Sequence, residues 1–287
     1  MRLDDLEESQ HIEDRRGGSA LGGRSIGLGT IAIALVAMYF GVDPNLILNV
    51  VQQVQPPAVE QPASNTAGQD PATKDPKVQF VSKVLWSTEQ VWQDIFTRGG
   101  QVYVAPRLEI FTEATQTACG QGQAAMGPFY CPADQKVYID LHFYQELQSR
   151  FKAPGDFSQA YVIAHEVGHH VQNLLGTSEK VQQARQQARS EAKANAYSVR
   201  LELQADCYAG VWAHHADQAF RILETGDVEE ALRAATAIGD DALQKQAQGY
   251  VVPDSFTHGT SEQRVHWFQQ GLHTGDVNAC NTFKGAV

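Results

Sequence analysis

Two histidines flank a glutamate in a pattern that can bind a catalytic metal ion. The chain reads His165-Glu166-Val167-Gly168-His169. On a helix, residues four apart lie on one face, so both imidazoles can reach one ion. Glu166 is displaced from His165 by roughly 100° around the helix, so it lies beside the metal and can accept a proton from an activated water. This H-E-x-x-H pattern predicts a Zn²⁺ site with Glu166 as its general base.

A third metal ligand must come from elsewhere in the chain, because catalytic zinc sites usually combine three protein ligands with one open position. No histidine follows at the H-E-x-x-H-x-x-G-x-x-H spacing, which excludes the metzincin pattern. Glu202 and Asp206 lie four residues apart on a later predicted helix. We expect Glu202 to be the third ligand and Asp206 to accept a hydrogen bond from a ligating imidazole. For His170 we expect a role in packing or at the surface, not in metal binding.

Apolar spacing places these residues on helices. The metal motif lies in a helix predicted over residues 157–175, with Asp156 as its N-cap and Gly176 as its stop. Glu202 and Asp206 lie in a long helix predicted over residues 188–220. Other helices are predicted over residues 78–96, 227–237 and 262–271, and strands within residues 101–111 and 136–143. Helices dominate and a small sheet comes early, which predicts an α+β fold and not an alternating βαβ one.

An uncharged apolar run over residues 26–42 precedes this domain and is just long enough to span a bilayer. Four arginines precede the run, and neither Lys nor Arg follows it until Lys74. This bias predicts one transmembrane helix, a cytoplasmic tail over residues 1–25 and a periplasmic or extracellular catalytic domain. Bulky residues at the end of the run favour an uncleaved anchor over a signal peptide. Residues 43–77, rich in Pro, Gln and Ala, predict a flexible linker that leaves residues 78–287 as the domain.

The composition limits which binding partners and which cellular compartment can be expected. The formal net charge of −11 provides no basic surface for phosphate backbones, so no nucleic-acid partner is expected. The four cysteines include no C-x-x-C pair, so a thiolate zinc site is not expected, and their even number suits two disulfides. Cys119 and Cys131 bracket one short loop. Cys207 directly follows Asp206, and a bond to Cys280 would tie the C-terminal tail to the helix that carries the third ligand.

Three segments together resemble the gluzincin arrangement: HEVGHHVQ, LELQADCYAG and FTHGTSEQR. Nearly the whole chain is similar to a bacterial family of neutral zinc metallopeptidases. That family also has an acidic N-terminus, an early membrane segment and a segment like GPFYCP before the strand VYID. The resemblance implies a zincin-like metallopeptidase domain, bound Zn²⁺ and hydrolysis of peptide bonds.

The segment FTHGTSEQR supplies two further candidates. In integral-membrane gluzincins a Thr-His-Pro element precedes a Glu-x-Arg-like stretch, whereas this chain has Gly259 in place of the proline. We expect His258 to stabilise the oxyanion of the tetrahedral intermediate. We expect Arg264 to form a salt bridge with Asp206. The alternative is an exposed loop histidine and a surface arginine.

These observations predict a membrane-anchored zinc endopeptidase that acts on peptides or proteins. Its substrate is expected to lie extended along residues 137–141, by main-chain pairing at the sheet edge. One alternative is a catalytically silent zinc-binding interaction or regulatory domain at the membrane, which would have no use for the general base Glu166. Another is a peptidase of membrane-embedded substrates, which a single anchor helix makes less favourable.

Overall fold

The computed structural model describes residues 1–16 and 75–284. The predicted membrane span over residues 26–42 and nearly all of the predicted linker lie outside the described residues. Within the described part, no helix combines the length and the apolar character that a membrane crossing requires.

Helices form most of the described structure, and a small sheet comes before the main helices, so the predicted α+β fold is confirmed. The strands are β1 Ile12–Asp14, β2 Arg107–Phe111, β3 Ala114–Thr117, β4 Gly120–Gln123, β5 Phe129–Cys131 and β6 Lys136–Asp140. The helices are α1 Pro76–Arg98, α2 Phe143–Ser149, α3 Asp156–Leu174, α4 Thr177–Gln186, α5 Glu191–Phe220, α6 Asp227–Ala237, α7 Asp240–Gln248 and α8 Ser261–Thr274.

The four-stranded sheet has the order β1-β2-β6-β5. β1 and β6 run parallel to β2 on either side of it, and β5 runs antiparallel to β6. β6 is therefore an inner strand, and the expectation that a substrate pairs along residues 137–141 at the sheet edge is wrong. The reason is β5, whose three residues fall in a segment that the sequence suggested was loop and occupy the open side of β6. The edge at this end of the sheet belongs to β5.

The N-terminal residues belong to the same compact unit as the helices. In β1, Ile12 pairs with Leu108 of β2, and beyond the strand Arg16 forms a salt bridge of 2.9 Å with Asp75 at the start of α1. Residues 1–16, which the sequence analysis assigned to a tail over residues 1–25, thus lie in the same unit as the domain predicted from residue 78. A three-residue strand has too little alternation to be recognised, and its partner lies far along the chain.

The predicted cap of the metal-motif helix is also corrected. Gly155 is the N-cap of α3, and Asp156 is the first helical residue. Both oxygens of Asp156 instead accept hydrogen bonds of 2.8 Å from the α-ammonium group of Met1. The carboxylate still lies at the positive end of the helix dipole, where a negative charge is stabilising.

The three helices that build the site pack almost backbone to backbone. A side chain at Gly168 of α3 would press on the main chain of Ala205 in α5 at 3.0 Å. A side chain at Gly210 of α5 would overlap the carbonyl oxygen of Phe268, and one at Gly271 of α8 would overlap that of Cys207. These contacts fix the distances between α3, α5 and α8.

Candidate metal centre

Two helices bring three ligand-type side chains together. His165 and His169 lie on one face of α3, and Glu202 faces them from α5. Their donor atoms all lie within 4.8 Å of one another. Glu202 Oε2 is 3.2 Å from His165 Nε2 and 3.4 Å from His169 Nε2. Two imidazole nitrogens and one carboxylate oxygen are a donor set that Zn²⁺ accepts at catalytic sites, so these residues fit the metal that the sequence predicts.

Glu166 lines the same cleft as the three ligand candidates. It is buried at 8 % exposure. Burial raises the pKa of this carboxyl above its ordinary value, although the two neighbouring imidazoles act in the opposite direction. A carboxylate whose pKa is raised toward working pH is a better general base than an exposed one.

A buried ionic network holds His165. Its Nδ1 lies 2.8 Å from Oδ1 of Asp206, which is fully buried. Arg264 of α8 donates from Nε to Oδ2 of Asp206 at 2.8 Å and from a terminal nitrogen to Oδ1 at 2.9 Å. Both contacts that the sequence analysis expected of Asp206 are therefore present. The hydroxyl of Tyr161 donates to the same carboxylate.

The charges of this network shift the pKa values of its members. Burial alone would raise the pKa of Asp206, but Arg264 and His165 outweigh it and lower the value to about 2. Burial alone would lower the pKa of His165, but the carboxylates of Asp206 and Glu202 raise it to about 10. A cation that binds at His165 must therefore compete with a proton, as expected for a metal ligand.

His258 lies just before α8 and lines the cleft with a half-exposed side chain. Its Nδ1 is 3.2 Å from Oδ1 of Asp240, the first residue of α7. The other oxygen of Asp240 accepts hydrogen bonds from the main-chain N–H groups of Thr257, His258 and Gly259. Asp240 thus fixes both the loop and the ring. The hydrogen bond to Asp240 raises the pKa of His258.

Sequence reasoning missed three side chains of the site: Asp240, Tyr161 and Gln172. No motif in the sequence distinguishes Asp240 or Tyr161 from other residues of the same types. Gln172, three residues after His169, lies with its Oε1 2.9 Å from Nδ1 of that ring. Its position on the ligand face of the helix was the one signal that could have identified it.

The remaining predicted residues are all located. Both disulfides form, Cys119–Cys131 and Cys207–Cys280. His170 is fully buried, with its two ring nitrogens near Tyr130 and the main chain of Val104, so it has the packing role that was expected. Burial lowers its pKa to about 4.

The cleft around the metal candidates has a volume of about 560 Å³. Its lining includes Phe129 and Tyr130 of the edge strand β5, together with Ile238 and Leu243. A larger cavity of about 700 Å³, lined by Trp92 and Tyr208 among others, contains none of the metal candidates. A cleft that combines apolar side chains with the polar groups of the metal candidates is typical of a substrate site.

Comparisons with known proteins agree with the motifs. The family described as "Putative neutral zinc metallopeptidase" matches residues 1–283, which confirms the resemblance. The chain is 49 % identical to the uncharacterized protein YpfJ of Escherichia coli K12 over 297 aligned positions, and the match covers 100 % of both chains. It is 40 % identical to the uncharacterized protein Rv2575 of Mycobacterium tuberculosis H37Rv over 210 positions, covering 70 % of this chain and 68 % of that protein. No solved structure matches.

Proposed function

Because the chain belongs to this family of neutral zinc metallopeptidases, we propose that it is a zinc-dependent endopeptidase. The observation that carries the proposal is the convergence of His165, His169 and Glu202 beside Glu166 in a cleft. A silent zinc domain gives no role to a buried carboxylate that lines the cleft without being one of the three ligands. Structural zinc sites also normally close with four protein ligands.

The side chains divide the reaction between them. Zn²⁺, when bound, polarises the substrate carbonyl and activates a water molecule. Glu166 accepts the proton of the attacking water and delivers it to the leaving amine. His258, oriented by Asp240, donates a hydrogen bond to the developing oxyanion.

The substrate is proposed to lie along β5 and the residues before it. β6 is paired on both sides, whereas β5 ends the sheet. Gly127, Pro128, Phe129 and Tyr130 all line the cleft. A peptide that adds to this edge can form hydrogen bonds through its main chain and place side chains against the apolar residues of the lining, which suits unfolded or extended protein segments.

The test replaces the general base. Glu166→Gln should retain about one zinc ion per chain and lose hydrolysis of unfolded protein. The matched control is Glu146→Gln, which changes another carboxylate that lines the cleft but is not a member of the metal cluster. Undiminished turnover by Glu166→Gln would end the assignment.

We further propose that residues 26–42 attach the enzyme to a membrane, with a topology that differs from the predicted single crossing. Residues 1–16 and the helices form one unit, and Arg16 contacts Asp75. The N-terminus and the catalytic domain must then lie on the same side of the bilayer. The two disulfides support an oxidising side.

Thiol labelling tests this arrangement. Single cysteines introduced at the exposed positions Glu7 and Glu262 should react alike with an impermeant maleimide in intact spheroplasts. Reaction of only one of them would contradict the proposal. Recovery of all the protein in the soluble fraction would contradict the attachment itself.

A further inference from the structure

The second histidine of the motif has a partner of a different kind from the first. Nδ1 of His169 lies 2.9 Å from Oε1 of Gln172, on the same helix. Gln172 is fully buried although it is polar. A buried amide must have its hydrogen bonds satisfied, so its contacts define its orientation.

The other end of the amide bonds to α5. Nε2 of Gln172 donates to the main-chain oxygen of Leu201 at 2.7 Å and to Oε1 of Gln204 at 3.2 Å. Gln204 in turn donates to the main-chain oxygen of Cys280 at 3.0 Å. Because Leu201 offers only an acceptor, the amide nitrogen must face α5 and the amide oxygen must face His169. The imidazole then donates from Nδ1, which leaves the lone pair of the neutral ring on Nε2, the nitrogen that lies 3.4 Å from Oε2 of Glu202.

We propose that Gln172 is a positioning residue for the metal centre. It fixes the tautomer of His169, and it joins α3 to the residue immediately before Glu202. In addition to the close contact of Gly168 with Ala205, this side chain thereby links the positions of the second and third candidate ligands. The inference rests on the proposed zinc site and concerns a residue that takes no part in the chemistry itself.

A near-isosteric variant tests the role. Gln172→Met keeps the volume and removes all three hydrogen bonds of the amide, and it should weaken zinc binding about 10- to 100-fold in a competition with a chelator. The absorption spectrum of the Co²⁺-substituted protein should also change, since it reports ligand geometry. The control is Gln204→Met, which breaks the link to Cys280 but leaves the contacts of Gln172 with His169 and Leu201 in place.

The outcomes separate positioning from packing. The proposal is supported if the apo forms of both variants lose similar thermal stability but only Gln172→Met loses zinc affinity. Equal zinc affinity for Gln172→Met and the wild type, or equal losses in the two variants, would overturn it. A wild type without zinc would instead overturn the proposed function.

A second variant covers the case in which Gln172→Met does not fold. Gln172→Glu retains an oxygen toward His169 and loses the donor to Leu201. We expect a zinc affinity that is weakened less than tenfold. A loss of tenfold or more would show that the contact with the imidazole is not what preserves zinc affinity and would overturn the tautomer argument.

Discussion

The two imidazoles of the metal centre are supported in contrasting ways. His165 is held by a buried carboxylate that is itself neutralised by Arg264, whereas His169 is held by a neutral amide. A buried ion pair is costly to assemble, and it is far more costly to leave half of it behind. When a buried amide loses one hydrogen bond, the group left without a partner is a neutral dipole and not a charge, so the cost is smaller. The difference predicts which side of the site tolerates change.

The largest effect should come from breaking the ionic support. Asp206→Ala leaves Arg264 buried without its partner and should destabilise the apo protein by about 3–5 kcal/mol. Zinc affinity should fall as well, because His165 loses the group that orients it. Chemical unfolding and chelator competition measure the two effects. Stability equal to that of the wild type would show that the ionic network of Asp206 and Arg264 does not stabilise the fold.

The pair of Asp206 and Arg264 can also be removed as a whole. The double variant Asp206→Leu with Arg264→Met should recover most of the stability lost in Asp206→Ala, since apolar replacement of a buried pair is often neutral. It should not recover zinc affinity, because no acceptor then faces His165. Unfolding curves and zinc titrations of the same samples suffice. Joint recovery of both quantities would mean that Asp206 acts on the metal only through the fold.

His258 lies outside both supports and should affect turnover alone. His258→Phe should lower kcat by roughly a hundredfold, about 3 kcal/mol, with unchanged zinc content. Asp240→Asn keeps an oxygen that can accept the main-chain hydrogen bonds of the loop, so it should lower kcat less than His258→Phe does. Steady-state kinetics at saturating zinc provide the measurement. Loss of zinc from His258→Phe would make this residue a ligand, and unchanged kcat would make it a bystander.

The smallest effect is expected at the far end of the sheet. Partial burial alone would raise the pKa of Glu13 in β1. The hydrogen bonds from Lys136 and Arg107 outweigh this effect and lower the pKa to about 2. A lowered pKa contributes stability that is present above the unfolded value of about 4.3 and is lost as the pH falls toward 2. Glu13→Gln should therefore cost about 1 kcal/mol at pH 7, and the difference should vanish at acid pH. Glu7→Gln, at an exposed position, is the control for unfolding curves across that range.

Local spacing was sufficient to identify the three side chains that the fold brings together as candidate metal ligands. His165 and His169 share a helix face by their separation alone, and Glu202 could be found because the residue types that bind zinc are few. The cysteines were paired correctly because four cysteines allow few pairings and two of them bracket one short loop. In each case the information lies within one helix or within a short set of alternatives.

Local spacing could not predict which residues and strands that are distant in the sequence contact each other in the fold. β1 and β5 have three residues each, too few for a pattern, and they form only because β2 and β6 offer open edges. Asp240 and Gln172 are ordinary polar residues until the fold places a ring beside them. The substrate edge was misassigned for the same reason, since which strand ends a sheet is a property of the assembled sheet.

The close contact between α5 and α8 has a consequence for how variation at this locus should be interpreted. Gly210 and Gly271 belong neither to the candidate metal ligands nor to the lining of the cleft, yet a methyl group at either would force the two helices apart. Arg264 on α8 would then be drawn away from its carboxylate on α5. A saturation-mutagenesis map scored by activity should therefore show that these two glycines tolerate substitution as poorly as the candidate metal ligands do. Low tolerance there would report interhelical distance, and it should not be taken as a sign of contact with substrate.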